Sequence, residues 1–269
     1  NFLIITYKAL RMLEMDILSL MRQIIPEIDF FDSSVIQLKQ FYGIELLDFP
    51  HEVAMLSMWL AEHQMNRKLH DDFGVNTQAL PLHNITQIVC GNACRLVWEE
   101  VCPHTADEEV FVFGNPPYLG SRNQDKEQKN DMKAVFREDF GSLDYIACWF
   151  YKGAKYIENS QAECAFVTTN SICQGLQVAL LWKRILRNGV EISFAHTSFK
   201  WSNNAKHNAA VTVAIVGITA HKRPKYLFTG DKVMTVDNIT AYLSPGKDIF
   251  VESVSRPLCP GIPQMNFGN

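Results

Sequence analysis

Apolar residues at Leu3, Tyr7, Leu10, Leu13, Ile17, Leu20 and Met21 recur every three or four positions, which predicts a long helix over 2–24. Phe41 to Leu46 predicts a short strand. Asp48 then predicts a helix cap, and the helix runs through His63 or beyond with Val53, Leu56, Leu60 and His63 on one face. Ile85 to Cys90 is a β-branched run that ends at Gly91-Asn92, a second strand and its turn. Val110-Phe111-Val112-Phe113 is a buried strand broken by Gly114. Residues 120–142 are polar, with Arg122, Lys126, Lys129, Lys133 and Arg137 among acids, and predict a mobile loop running into a helix with a solvated face. Leu143 to Ile157 predicts an aromatic-rich helix, Glu163 to Thr169 a strand, and Gln174 to Arg187 a helix stopped by Gly189. Val190 to His196 and Ala210 to Ile218 are strands with no helix between them. From Arg223 onward Pro, Gly and short strand-like pieces take over.

Alternating strands and helices predict an α/β fold, a largely parallel sheet with helices on both faces. The two successive strands at the close predict one antiparallel strand. No internal repeat or low-complexity tract interrupts the pattern. Length and composition agree: 269 residues suit one large domain or two small ones, and 47% hydrophobic residues supply a sizeable core. A charged fraction of 20% excludes compositional disorder. The net charge of −4 lacks the basic imbalance common in complete DNA-binding proteins, so for a DNA ligand much of the phosphate grip has to come from elsewhere.

The seven cysteines, Cys90, Cys94, Cys102, Cys148, Cys164, Cys173 and Cys259, are odd in number and form no C-x-x-C pair. Buried reduced thiols are the expectation, with no zinc site and no other metal. The sequence contains no signal peptide, and no apolar run approaches the roughly 20 residues of a membrane span. A cytoplasmic location and no membrane partner follow as expectations.

Asn115-Pro116-Pro117-Tyr118 carries the chemistry. It follows a strand, and two consecutive prolines have fixed φ and no N–H, so the sheet cannot continue through them. The Asn115 side chain and neighbouring carbonyls are therefore held at the strand's C-terminal edge, where open α/β sheets place ligands. The plain alternative is a loop that happens to hold these residues.

The tetrapeptide resembles the catalytic motif of amino-group methyltransferases that use S-adenosylmethionine, above all the DNA adenine-N6 enzymes. Their substrate nitrogen is a poor nucleophile because its lone pair is delocalised into the ring. The resemblance implies that the Asn115 side-chain oxygen and the Pro116 backbone oxygen accept its hydrogens, favour a pyramidal nitrogen and aim its lone pair at the methyl group. Pro117 completes the rigid turn, and Tyr118 offers a flat face to a flipped base. Asn rather than Ser at position 115 points to adenine over cytosine.

The whole span from Asn1 to Asn269 is similar to the methyltransferase core of the MmeI-like, type IIG restriction–modification enzymes. Tyr42-Gly43-Ile44-Glu45-Leu46 resembles the strand-end acidic motif, which implies that Glu45 binds the cofactor ribose. The segment from Asp48 through Leu60-Ala61-Glu62-His63-Gln64-Met65-Asn66 resembles the helix that follows. Gly91-Asn92-Ala93 resembles the motif that reads the cofactor adenine. Leu143-Asp144-Tyr145 and Phe166-Val167-Thr168-Thr169-Asn170-Ser171 match later core motifs. Phe199-Lys200-Trp201-Ser202-Asn203-Asn204-Ala205 resembles the segment packing the far side of the flipped adenine, through Phe199 and Trp201. On local grounds each has a plainer reading. Glu45 would be a solvated strand-end acid, Asn92 an αL turn residue, and Phe199 and Trp201 core aromatics. His63 and His196 read as structural.

The resemblance implies a Rossmann-like class I methyltransferase core over 1–222 and a connector over 223–269. It also implies a cofactor, S-adenosylmethionine, and a partner, double-stranded DNA held through a target recognition domain that this chain lacks. It departs from the family in opening at Asn1-Phe2, where the family has a Gly-rich cofactor loop just before, of the form Asp-Pro-Ala-Cys-Gly-x-Gly. The first, central strand is expected to be missing with that loop, leaving a gap between the strands ending at Glu45 and Gly114. Leu96-Val97-Trp98 carries Val where the group often has Asp. The implied function is site-specific adenine-N6 methylation within a restriction–modification system. The alternatives are a protein glutamine or RNA amino-group methyltransferase, and a non-catalytic DNA- or partner-binding module.

Overall fold

The computed structural model describes residues 1–25, 34–75, 87–138, 140–200 and 212–252. The chain divides into two compact units, 1–103 and 104–269.

The first unit runs α1 (Phe2–Ile24), β1 (Tyr42–Glu45), α2 (Asp48–Phe73), β2 (Gln87–Cys90) and α3 (Trp98–Val101). Strands β1 and β2 pair in parallel from Tyr42↔Gln87 to Glu45↔Cys90. A parallel pair needs a long crossover, and α2 lies within it. Gly74, in the left-handed region at φ 73°, ends α2 and donates its N–H to His70 O at 2.8 Å. The core is Tyr7, Met15, Leu38, Phe41, Met58, Ala61, Met65, Leu69 and Ile88.

The buried faces of both helices differ from the periodicity reading. In α1 the buried positions are Tyr7, Arg11 and Met15, while Leu13, Ile17 and Leu20 are exposed. In α2 they are Met58, Ala61, Glu62, Met65 and Leu69, and the expected stripe of Val53, Leu56, Leu60 and His63 faces outward. Each helix is apolar on two sides, so spacing alone offers two stripes. The choice falls on the side that also carries a polar network. Arg11, 1% exposed, donates from Nη1 to Tyr7 OH at 2.7 Å, and from both Nη atoms to Asn66 Oδ1 at 3.0 Å. Its Nε lies 3.2 Å from Glu14 Oε2. Burial raises the Tyr7 hydroxyl to about 12.

The second unit holds a six-stranded sheet in the order β3-β4-β6-β5-β7-β8. Its strands are β3 (Phe111–Gly114), β4 (Glu163–Thr169), β5 (Glu191–Lys200), β6 (Thr212–Thr219), β7 (Lys225–Thr229) and β8 (Lys232–Val236). Pairs β3–β4 and β5–β7 are parallel, whereas β6 runs against both β4 and β5, and β8 against β7. The sheet is thus mixed: β6 is a reversed strand at the close, as expected, and β8 adds a second where one was expected. Central β6 is buried on both faces, which explains its unbroken Val213–Ile218 run instead of an alternation. The expected 222/223 boundary falls just before β7, which pairs with β5 from Phe194↔Tyr226 to His196↔Phe228. Strands β1 and β3 lie in separate sheets.

Helices α4 (Lys126–Phe136) and α5 (Ala147–Tyr156) lie between β3 and β4 in the chain. The helix expected from Leu143 starts only at Ala147, because the chain first makes a turn closed by Ala147 N–H on Asp144 O at 3.0 Å. The helix expected over 174–187 is divided: α6 (Gly175–Gln177), a π turn over Val178–Trp182, and α7 (Lys183–Ile185). Among the described residues no helix is long and apolar enough to cross a membrane.

Candidate functional site

The Asn115-Pro116-Pro117-Tyr118 turn leaves the end of β3 without entering a helix. Pro116 is buried, Tyr118 half-buried, and Asn115 and Pro117 exposed. What holds the turn is the segment after it. Leu119 donates its N–H to Asp144 Oδ1 at 2.7 Å, and its carbonyl accepts from Tyr145 N–H at 3.0 Å. Gln124 Nε2 donates to Leu119 O and to Leu143 O, each at 3.0 Å. Asp144 is 4% exposed. A carboxylate at that depth needs donors, and it also receives Ile146 N–H at 3.3 Å and Thr169 Oγ1 at 3.4 Å. Its own N–H donates to Gln177 Oε1 at 2.9 Å. The split helix thus returns a side chain to the clamp.

Strand directions bring further residues to this edge. Because β3, β4 and β5 point the same way, their C-terminal ends, Gly114, Thr169 and Phe199-Lys200, lie on one side of the sheet. Phe199 is 38% exposed beyond an irregularity in β5 between His196 and Phe199, so it is not the core aromatic of the plainer reading. It stands three strand positions from β3, about 14 Å at the usual sheet spacing. Trp201 lies outside the described residues.

In the first unit, Glu45 and Asn92 occupy the C-terminal edge of the β1–β2 pair. Gly91 N–H donates to Glu45 O at 2.8 Å and closes the turn. One Glu45 carboxylate oxygen accepts Leu46 N–H at 2.9 Å. Asn92 has no positive φ and is not an αL residue. Its side-chain oxygen accepts Cys94 N–H at 2.8 Å instead, and Ala93 O accepts Trp98 Nε1 at 2.9 Å. Asn92 and Trp98 together fix the backbone conformation after β2.

Among the described residues, Asp48, His51 and Glu52 are close enough to hold a metal ion. His51 is already engaged, by Ile88 O at 3.0 Å and Glu52 Oε1 at 3.1 Å. The group also sits on the first turn of α2, where the helix dipole disfavours a cation. The described cysteines are free thiols, and burial raises Cys164 and Cys173 far above the usual thiol range. Cys259 lies outside the described residues. His196 stacks on Phe228 at 4.2 Å and burial lowers its pKa, as suits a structural ring.

The matching family model is that of the MmeI DNA-methyltransferase domain, over residues 1–229. The chain belongs to this family. It is 48% identical to DNA methyltransferase A of Bacillus subtilis (strain 168), with all of this chain aligned to 31% of that protein. It is also similar, at 37% identity and a TM-score of 0.84, to a solved structure of the type IIL restriction-modification enzyme MmeI in complex with DNA. There the match covers 96% of this chain and 36% of that one. The chain therefore spans about a third of the relatives' length. An MmeI-type methyltransferase core has the α/β fold expected from the motifs. Within that fold the clamp formed by Asp144, Gln124, Gln177 and Thr169 was not assigned a role from sequence. Leu143-Asp144-Tyr145 and Thr169-Asn170-Ser171 were visible as motifs, but only the hydrogen bonds to Leu119 reveal what Asp144 does.

Proposed function

We propose that this chain is the catalytic core of a DNA adenine-N6 methyltransferase that acts within a restriction–modification system in the cytoplasm. The observation that carries the reading is the Asn115-Pro116-Pro117-Tyr118 turn, fixed at the C-terminal edge of β3 by the Asp144–Leu119 bond. Asn115 Oδ1 and the Pro116 carbonyl accept the two hydrogens of the target amino group. Each bond grows stronger as the nitrogen becomes pyramidal and acquires positive charge, so it stabilises the transition state more than the ground state. Tyr118 stacks the flipped base, and Phe199 with Trp201 closes its far side. Neither a metal nor a strong base is needed.

The donor set on β1–β2 suits S-adenosylmethionine. Glu45 has an acidic side chain at a parallel-strand edge, with one oxygen on Leu46 N–H and no further described partner for the other, which leaves it for ribose hydroxyls. The turn at Asn92-Ala93 offers a fixed backbone for the adenine ring. Bound there, the cofactor supplies an electrophilic methyl group on sulfur. The names of the relatives, a DNA methyltransferase and a restriction-modification enzyme solved with DNA, favour duplex DNA over protein or RNA.

The test uses the full-length enzyme, labelled S-adenosylmethionine and unmethylated plasmid DNA. Nucleoside digestion with mass spectrometry should place the label on adenine N6. Label on cytosine N4, or on RNA or protein instead of DNA, overturns the assignment.

A further inference from the structure

Arg122, Lys126, Lys129, Lys133 and Arg137 follow one another at steps of four, three, four and four residues, and all five are exposed. On α4 that spacing sets Lys126, Lys129 and Lys133 along one face. The face beside it is docked. Asp131, buried, accepts the Tyr145 hydroxyl at 2.8 Å, Met132 meets Cys148 at 3.3 Å, and Phe136 lies 4.9 Å from the Tyr151 ring. The start of the helix is tied to the catalytic turn, since Gln124, beside the Asp125 cap, holds Leu119 O. The basic face is therefore rigidly oriented relative to Asn115.

This face is built at a cost to the helix. Lys129–Lys133 is a like-charge pair at i,i+4, and Lys126 stands in the first turn, the wrong end for a cation. Elsewhere the chain does the opposite: on α2, Lys68 pairs with Asp72 at 2.9 Å and Arg67 with Asp71 at 3.9 Å, both i,i+4. Among the described residues none of the five cations around α4 has a side-chain partner. Glu127, the exposed acid on the helix, is turned about 100° from Lys126.

We infer that the Lys126–Lys129–Lys133 face of α4 binds consecutive phosphates of one strand of duplex DNA beside the flipped base, with Arg122 and Arg137 at its ends. Lys126 and Lys133 are about 10 Å apart along the helix axis, the axial rise of about three nucleotides of one strand. A polyanion relieves the self-repulsion that the free helix bears. In a chain of net charge −4 the stripe also orients the approach of DNA. This inference rests on the proposed action on DNA and adds the surface that holds the backbone.

The test is Lys126→Gln/Lys129→Gln/Lys133→Gln in the full-length enzyme, Gln being a comparable helix former. Fluorescence anisotropy with a labelled 40-base-pair duplex, repeated from about 50 to 300 mM salt, reads the stripe directly. Each phosphate contact contributes about 0.9 to the slope of log affinity against log salt, so the triple variant should lose about 2–3 of that slope and on the order of tenfold or more in affinity. Lys68→Gln, which removes a paired lysine, should leave the slope alone. In methyl transfer the loss should fall on KM for DNA and not on kcat. Should the triple variant melt early, Lys129→Gln alone should still lower the slope by about 0.9. An unchanged slope and affinity overturn the inference. A wild-type enzyme that bound DNA through the stripe yet transferred no methyl group would overturn the proposed function and leave the stripe standing.

Discussion

The Asp144 carboxylate accepts the Leu119 backbone N–H at 2.7 Å, so a residue 25 positions downstream fixes the chain immediately after Tyr118. The same carboxylate takes the Thr169 hydroxyl at the end of β4, and it therefore ties the Asn115–Tyr118 turn to the neighbouring strand. Asp144→Ala leaves the Leu119 and Ile146 N–H groups without an acceptor, while the Thr169 hydroxyl keeps Ser171 Oγ. That should cost about 1–3 kcal/mol of stability and lower kcat, with cofactor affinity nearly unchanged. Asp144→Asn keeps an oxygen for Leu119 N–H and places an amide against a hydroxyl that can accept. It should recover most of kcat. Melting curves beside steady-state kinetics separate the two effects, and equal damage from Asn and Ala would show that charge, not positioning, is what Asp144 supplies.

Asn115→Ala removes one of the two acceptors proposed for the reacting amino group. Loss of one such preorganised contact typically costs roughly two to three orders of magnitude in rate. Because Asn115 is exposed, stability should change little. Single-turnover methylation by the full-length variant is the measurement, and near-normal rates would sink the mechanism.

Tyr118 separates ring from hydroxyl. Tyr118→Ala should weaken capture of the flipped base by about 1–3 kcal/mol, the usual worth of a base–aromatic stack. Tyr118→Phe should be mild. If Phe proves as damaging as Ala in DNA-binding titrations, the hydroxyl carries the effect.

The sequence made the elements more legible than their orientation. Helix 2–24 was readable to the residue because its apolar positions repeat without a break. The side of α1 and α2 that turns inward was not, since periodicity cannot rank two apolar stripes on one helix. Arg11 and Glu62, which a hydropathy pattern counts as surface, are buried. The Pro-Pro turn was legible because two prolines leave few conformations open. Its clamp was not, because Leu119, Asp144, Thr169 and Gln177 meet only through the sheet and the split helix. The lysine spacing was visible as a solvated face, and the docked inner side of α4 turns it into an oriented surface.

Gly217 marks a close approach that composition does not announce. It faces Phe194 across the β5–β6 pair, and a Cβ there would stand 2.2 Å from the ring. Gly217→Ala should therefore push the ring off its position in the middle of the sheet, at a cost of about 1–3 kcal/mol or more. Gly217→Ala combined with Phe194→Leu should recover part of the loss. Additive losses in urea melts would mean the glycine serves the backbone and not the ring.

Glu62 is buried on α2, and burial raises its pKa above 4.5 more than the nearby Arg11 guanidinium lowers it. The native state therefore binds this proton more tightly than the unfolded chain does. The contribution of Glu62 is fully favourable below the unfolded pKa and is lost as the pH rises from 4.5 through the folded value. Glu62→Gln removes that dependence. Arg11 keeps Tyr7, Asn66 and Glu14 as partners, so the variant leaves no cation stranded. Melting curves at pH 4 and pH 8 should show the variant matching wild type in acid and exceeding it in base. The opposite order, with Glu62→Gln weaker at pH 8, would mean that attraction to Arg11 outweighs burial and that the carboxylate is charged in the fold.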